Sequence, residues 1–334
     1  MSNKLSSVGI IGIGSCLPER ILSNFDLEKM VETSDEWIMQ RTGISQRRIL
    51  ERDQPAFELG VTAAQRAIED AGISPEEIGL IIATTGSPDY HFPSTACLIQ
   101  GRIGAVNAGA IDMNAACSGF VYGITFAKQF ISTNTYNYVL VVSCEGLSKI
   151  IDWEDRNTCV LFGDCAAAAV LGKADDGYGI LSHYLGADGT PDNCYLMTSP
   201  CCYISEAEAN KRKHENKQAI WMSGGSVMKF AIRIMDRAIR KVVDDAQLTL
   251  DDIKYVVPHQ ANIRIIEDAA KSLGIGNDKM FCNIRDYGNV SSATIPLALD
   301  KMSKNGLLSK GDNIVVVGFG SGLTWAAALV RWCR

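Results

Sequence analysis

Positive charge is not in surplus: Lys and Arg number 32 against 38 Asp and Glu, a net charge of −6. No extended tract of Lys or Arg offsets this, which argues against nucleic acid as the main partner and leaves room only for a local basic patch. Long apolar runs are missing too. None reaches the length of a membrane span, and Val8 to Gly14 is too short and glycine-rich for the core of a signal peptide. The expected location is the cytoplasm, with no membrane partner. Cysteine is plentiful at 11, but the number is odd, the spacings are irregular and CxxC pairs are absent. Reduced thiols are therefore expected. Cys194, Cys201 and Cys202 with His214 match no usual ligand pattern, so no metal is expected. Gly12-x-Gly14 lacks a third glycine, and Pro18 follows where a helix would be needed, which excludes a dinucleotide fingerprint.

What is present is a composition 47% hydrophobic and 21% charged over 334 residues, enough for two ordinary domains or one large composite. The most informative stretch runs from Ala110 to Phe130. Ala110-Ile111-Asp112-Met113 reads as a buried strand end, Asn114-Ala115-Ala116 leads through small residues to Cys117, and Ser118-Gly119 open an amphipathic helix. A thiol at a helix start faces unpaired backbone N–H groups and the positive end of the helix dipole, both favouring thiolate. Cys117 is thus a candidate nucleophile, with a small buried hydrophobe as the competing reading.

The order of elements then repeats. Helix Phe57–Ala71, cap Ser74–Glu77 and strand Ile78–Ala83 have counterparts in helix Val227–Ala246, cap Thr249–Asp252 and strand Ile253–Val257. The Cys117 turn and helix Phe120–Ile131 match Phe281 through Asn289 to Ser291-Ser292-Ala293 and helix Ile295–Met302. Strand Tyr138–Ser143 matches Asn313–Gly318. Continuous Val/Ile/Leu strands imply sheets covered on both faces. The chain therefore reads as two α/β halves, 1–174 and 175–334. In open α/β sheets ligands sit beyond the carboxyl ends of the strands, and Cys117, His259 and Asn289 each occupy such an end. A pseudo-twofold between the halves would bring them into one cleft.

Further motifs lie in order along the chain: Thr33-Ser34-Asp35-Glu36-Trp37-Ile38 with Arg41-Thr42-Gly43-Ile44, Phe92-Pro93-Ser94, Phe162-Gly163-Asp164, Pro258-His259-Gln260-Ala261-Asn262, and Gly318-Phe319-Gly320-Ser321-Gly322-Leu323-Thr324-Trp325. With Ala116-Cys117-Ser118-Gly119-Phe120, this set resembles the thiolase-fold condensing enzymes, most closely the β-ketoacyl-acyl carrier protein synthase III family of bacterial fatty acid synthesis. The resemblance covers nearly the whole chain. It implies a thiolase-like fold with α-β-α-β-α layers and a homodimer. The implied reaction is a decarboxylative Claisen condensation of a short acyl-CoA primer with malonyl-acyl carrier protein, with acyl-CoA as substrate and no cofactor.

The same resemblance implies the roles of individual residues. Cys117 takes the acyl group as a thioester, and His259 and Asn289 stabilise the enolate left by decarboxylation. Backbone N–H groups of Cys117 and Ser321 hold the second oxyanion. Ser321 stands where glycine is usual, a change that keeps the donor unless the site needs a positive φ. Phe319 forms an apolar wall at the departing carboxylate. Trp37, Arg41 and Arg156 hold the adenine by stacking and cation–π contact, Thr33 hydrogen-bonds the base, and Asn262 meets the pantetheine arm. Phe92 reaches the partner's acyl pocket and favours short primers. Lys229, Arg264 and Lys271 fall on a face that docks the acidic carrier protein; Arg233 and Arg237 follow Lys229 at helical spacing. The polar stretch 198–219 reads as a solvated loop or lid. Competing readings are a synthase-III-like acyltransferase or condensing enzyme of a secondary-metabolite pathway, a hydroxymethylglutaryl-CoA synthase, and a non-catalytic acyl-binding subunit. The intact set Cys117, His259 and Asn289 argues against the last.

Overall fold

Alternate residues of single strands enter different cores, and this organises the molecule. In strand Tyr138–Gly146, Val139 and Val141 join one apolar cluster while Leu140 and Val142 join another; in Asn313–Gly320, Ile314 and Val316 part from Val315 and Val317 in the same way. A strand apolar at every position is thereby buried on both faces. The computed structural model describes residues 5–190, 196–197 and 219–334. The Cys194–His214 group and the polar stretch 198–218 lie outside the described residues.

The first sheet contains β1 (Val8–Cys16), β2 (Ile78–Thr84), β3 (Gly109–Met113), β4 (Tyr138–Gly146) and β5 (Asp164–Lys173), in the order β1-β5-β4-β2-β3. The second contains β6 (Gly179–Ala187), β7 (Tyr255–Pro258), β8 (Asn313–Gly320) and β9 (Thr324–Arg331), in the order β7-β8-β9-β6. Within the first, β2 runs parallel to β3 and β4; within the second, β7 runs parallel to β8.

The helices are α1 (Asp35–Thr42), α2 (Ala56–Ala71), α3 (Thr95–Ile103), α4 (Gly119–Ser132), α5 (Gly224–Asp245), α6 (Ile263–Leu273) and α7 (Thr294–Lys304); all but α1 pack on the sheets. Phe120 and Ile124 of α4 and Ile295 and Leu299 of α7 pack between the sheets. Helices α2 and α3 cover the outer face of the first sheet, and α5 and α6 that of the second. The result is the expected α-β-α-β-α layering. Both expected capping boxes are present, Ser74 with Glu77 and Thr249 with Asp252, and each introduces the strand that follows.

One expectation is corrected. Strand β3 is not a buried strand end: it forms the open edge of the first sheet, and Ile111 is 53% exposed. Its apolar residues mark an edge with no strand beyond it in the described chain. Periodicity alone cannot tell an apolar edge from an apolar core strand.

Candidate active site

After β3 the chain turns sharply. The Asn114 side-chain carbonyl accepts from the Ala116 amide at 3.1 Å, and Ala116 adopts φ +47°, a left-handed conformation that costs a non-glycine residue energy. A short 3-10 turn over Ala116–Ser118 then feeds α4. The elbow is tied down by hydroxyls. Ser118 Oγ donates to the Ala115 carbonyl at 2.6 Å, and Thr324 Oγ1 lies 2.9 Å from that carbonyl and 3.1 Å from that of Ser321. Gly320 passes so close that a Cβ on it would stand 2.7 Å from the Cys117 amide nitrogen. Only glycine allows that approach, which brings the Gly320–Ser321 backbone beside the Cys117 N–H.

His259 follows β7, its amide donating to Val317 of β8 at 2.8 Å. Its ring is buried, with Nδ1 2.8 Å from Thr294 Oγ1 and the Phe319 ring edge-on at 5.2 Å. Asn289 is held by backbone from the first half: its N–H donates to Leu161 O at 2.9 Å, and Gly163 N–H donates to Asn289 O at 3.0 Å. Its side-chain Oδ1 accepts from the Ser291 amide at 2.9 Å. A backbone N–H can meet only an acceptor, so this bond fixes the amide and leaves Nδ2–H₂ as the donor facing the cavity. Cys117, His259, Asn289 and Phe319 line one cavity of about 90 Å³.

Charge in this cavity is scarce. Burial pushes the Cys117 thiol up to about 12; a hydrogen bond from Ser291 works against this, and the negative charge of Glu145 adds to it. Burial thus opposes the thiolate that the helix start favours. A helix end contributes up to about 2 kcal/mol, or roughly one and a half pK units, against a rise from 9.0 to about 12. Burial likewise pulls His259 down to about 3, so the imidazole is neutral at neutral pH.

The other residues singled out in the sequence fall as follows. Ser321 is partly buried without a positive φ; Gly322 carries that conformation, at +141°. Trp37 lies under two guanidinium groups, Arg41 at 5.6 Å and Arg156 at 5.3 Å from the ring centre. Arg156 also donates to the Glu32 carbonyl at 2.8 Å. Thr33 Oγ1 is buried without a hydrogen-bond partner among the described residues. Asn262 lines the cavity and also caps α6, with Oδ1 accepting from the Arg264 amide at 2.9 Å and Nδ2 donating to Arg41 O at 3.0 Å. Phe92 is 87% exposed and does not line its own chain's cavity. Lys229, Arg233 and Arg237 are exposed along α5, and Lys271 is exposed near the end of α6. Arg264 donates to the Gln40 carbonyl at 2.9 Å and ties α6 to α1. Sequence reasoning quoted Ser291 beside Asn289 without giving it a role, and did not single out Thr294, Thr324 as a tether, or Glu145. Only Glu145 carried a signal, as a charge at the end of an apolar strand.

Two pseudo-repeated halves with a cysteine elbow facing a histidine and an asparagine define a condensing enzyme of thiolase type. The family described as 3-Oxoacyl-[acyl-carrier-protein (ACP)] synthase III matches residues 111–189, and its C-terminal part matches residues 243–332. A β-ketoacyl-[acyl-carrier-protein] synthase III of Caldanaerobacter subterraneus is 50% identical over 334 residues, covering 100% of both chains. That of Clostridium acetobutylicum is 51% identical over 330 residues, 99% of this chain and 100% of the relative. The crystal structure of the 3-oxoacyl-[acyl-carrier-protein] synthase III of Aquifex aeolicus superposes with a TM-score of 0.90 at 42% identity, covering 98% of this chain and 100% of that one. The chain belongs to the β-ketoacyl-acyl carrier protein synthase III family: it is an acyltransferase, and its reaction is the condensation that initiates fatty acid synthesis.

Proposed function

We propose that Cys117 carries the primer in this condensation and that His259 and Asn289 drive the decarboxylation. The observation that carries this reading is a cavity lined by all three, with Asn289 Oδ1 taken up by the Ser291 amide so that Nδ2 is left to donate. In the first half-reaction Cys117 Sγ attacks the thioester carbonyl of a short acyl-CoA, acetyl-CoA being the expected primer. The S–C bond forms as the thiol proton leaves, and that proton ends on the departing CoA thiol. The oxyanion formed on the way is held by the backbone N–H groups of Cys117 and Ser321.

In the second half-reaction malonyl-acyl carrier protein loses carbon dioxide, and charge gathers on its thioester oxygen. His259 Nε2–H and Asn289 Nδ2–H meet that oxygen, and Thr294 Oγ1, 2.8 Å from Nδ1, holds the ring in place. A neutral imidazole serves as donor here without a buried positive charge. Phe319 supplies an apolar wall that disfavours the charged carboxylate and favours its loss. The new carbanion attacks the acyl carbonyl, the C–S bond to Cys117 breaks, and the leaving thiolate takes a proton from water.

CoA is held at Trp37, with Arg41 and Arg156; a purine enters this stack by displacing one guanidinium. The unpartnered hydroxyl of Thr33 suits the base, and Asn262 the pantetheine arm. Lys229, Arg264 and Lys271 receive the carrier protein. No cofactor takes part beyond the two thioesters. The protein works in the cytoplasm as a homodimer joined along β3, where Phe92 closes the partner's acyl pocket.

The test is intact-protein mass spectrometry after incubation with a panel of acyl-CoAs, then malonyl-carrier protein, on wild type, Cys117→Ala and Asn289→Ala. Wild type gains an acyl adduct that malonyl-carrier protein discharges; Cys117→Ala gains none. Asn289→Ala gains the adduct and discharges it about a hundred- to a thousandfold more slowly. An adduct on Cys117→Ala, or normal discharge by Asn289→Ala, overturns the assignment.

A further inference from the structure

The repeat places a second elbow inside the molecule, opposite the first. Ala116 at φ +47° opens a 3-10 turn, Ala116–Ser118, that feeds α4; Ser291 at φ +48° opens a 3-10 turn, Ser291–Ala293, that feeds α7. Where the first turn carries Cys117, the second carries Ser292. Where His259 closes the catalytic cavity from the loop after β7, the matching loop after β2 supplies Thr85, Gly86 and Ser87.

This mirror position is filled by a carboxylate. Glu145, at the end of β4, is 0% exposed. Its Oε1 accepts from Ser292 Oγ at 2.6 Å and from the Ser292 amide at 3.3 Å. Its Oε2 accepts from Ser87 Oγ at 2.6 Å, the Gly86 amide at 3.1 Å and Thr85 Oγ1 at 3.4 Å. The first group of donors comes from the second half of the chain and the second group from the first half. Each oxygen meets a backbone N–H, so an amide side chain here would turn its NH₂ onto a donor whichever way it flipped. A buried carboxylate at a helix N-terminus, satisfied by donors from two loops, is a rigid joint.

The joint lies directly behind the site. The Ser291–Ser292 turn that it grips holds the Asn289 side chain through the Ser291 amide. Behind burial, Ser291 lowers the Cys117 thiol and the negative charge of Glu145 raises it; burial raises the Glu145 carboxyl itself, and the hydrogen bonds it accepts oppose that. We propose that Glu145 is a positioning residue: its carboxylate, seated at the mirror image of the catalytic elbow, fixes the turn that aims Asn289 and sets a negative charge behind Cys117. This rests on the assignment of Cys117 and Asn289 made above.

Its test compares full-length wild type, Glu145→Gln and Ser292→Ala, with circular dichroism to establish folding. The first readout is kcat and KM for condensation; the second is the pH midpoint of Cys117 alkylation by iodoacetamide, located by peptide mapping. In Glu145→Gln, kcat falls by about tenfold or more while KM for the primer moves less than about twofold, and the alkylation midpoint falls by about one pH unit. Ser292→Ala loses one hydrogen bond but keeps the charge, so its kcat falls and its alkylation midpoint stays put. A folded Glu145→Gln with an unchanged midpoint, or Ser292→Ala at wild-type kcat, overturns the proposal, and the second variant decides if the first does not fold. Alkylation needs no substrate, so this arm reports on Glu145 even if wild type forms no acyl adduct.

Discussion

His259 is held neutral by burial, and this has a cost in acid. Its folded pKa of about 3 lies below the unfolded value of 6.5. Below about pH 6.5 the unfolded chain takes up a proton that the native chain refuses, so stability present above that pH is lost as pH falls toward 3. Across that window the slope amounts to one proton, about 1.4 kcal/mol per pH unit. Urea unfolding of wild type and His259→Asn at stepped pH should show the acid limb shallower by that amount in the variant; equal slopes would contradict the assignment. Cys117 shows the opposite sign: its raised folded value gives stability that is full below about 9 and lost as pH rises through about 12. At this scale the sequence was legible in residue type and spacing, which led to Cys117, His259 and Asn289. It was not legible in depth. The helix start at Cys117 favours a thiolate, but the burial that opposes it, at 5% exposure, comes from β8 and the Ser291 turn, far along the chain. Glu145 was readable in principle, as a charge closing the run Tyr138 to Cys144, and its meaning needed the partners that surround it.

The elbow and the glycine-rich strand end form one unit. Gly318 and Gly320 of β8 face Ser118 and Cys117, and a Cβ on Gly320 would meet the Cys117 nitrogen at 2.7 Å. Gly320→Ala must push the two backbones apart and with them the donors at Cys117 and Ser321. We expect acylation to slow by about tenfold to a hundredfold and the fold to lose about 1–3 kcal/mol, read by stopped-flow release of CoA and thermal unfolding. An unchanged acylation rate would separate the strand end from the chemistry. Elements were well marked in the sequence because local signals agreed: both capping boxes and the apolar strands fall where spacing put them. Asn262 shows where local reading stops. It lies three residues beyond His259 and lines the cavity, yet both its polar atoms serve a helix cap and the join to α1.

For the molecule as a whole, the layering followed from strand composition, while the edges did not. An exposed Ile111 on the outer strand, with Phe92 at 87% and Val106 at 72% exposure in the chain leading up to it, is an apolar edge of the kind that pairs with another copy. Ile111→Lys should convert a dimer to a monomer in sedimentation velocity; if wild type is already monomeric, or the variant stays dimeric, the edge is not the interface. Asn289, for its part, lies in a ladder that joins the halves: Phe162 bridges Asn289 as strands do, with bonds on either side to Leu161 and Gly163. A molecule stitched together at its reaction centre cannot breathe by parting its halves. In deuterated buffer the amides of Gly163 and Asn289 should therefore be among the last to exchange, opening only when the whole fold opens, and both thioesters must thread to Cys117 along a channel whose far wall holds still.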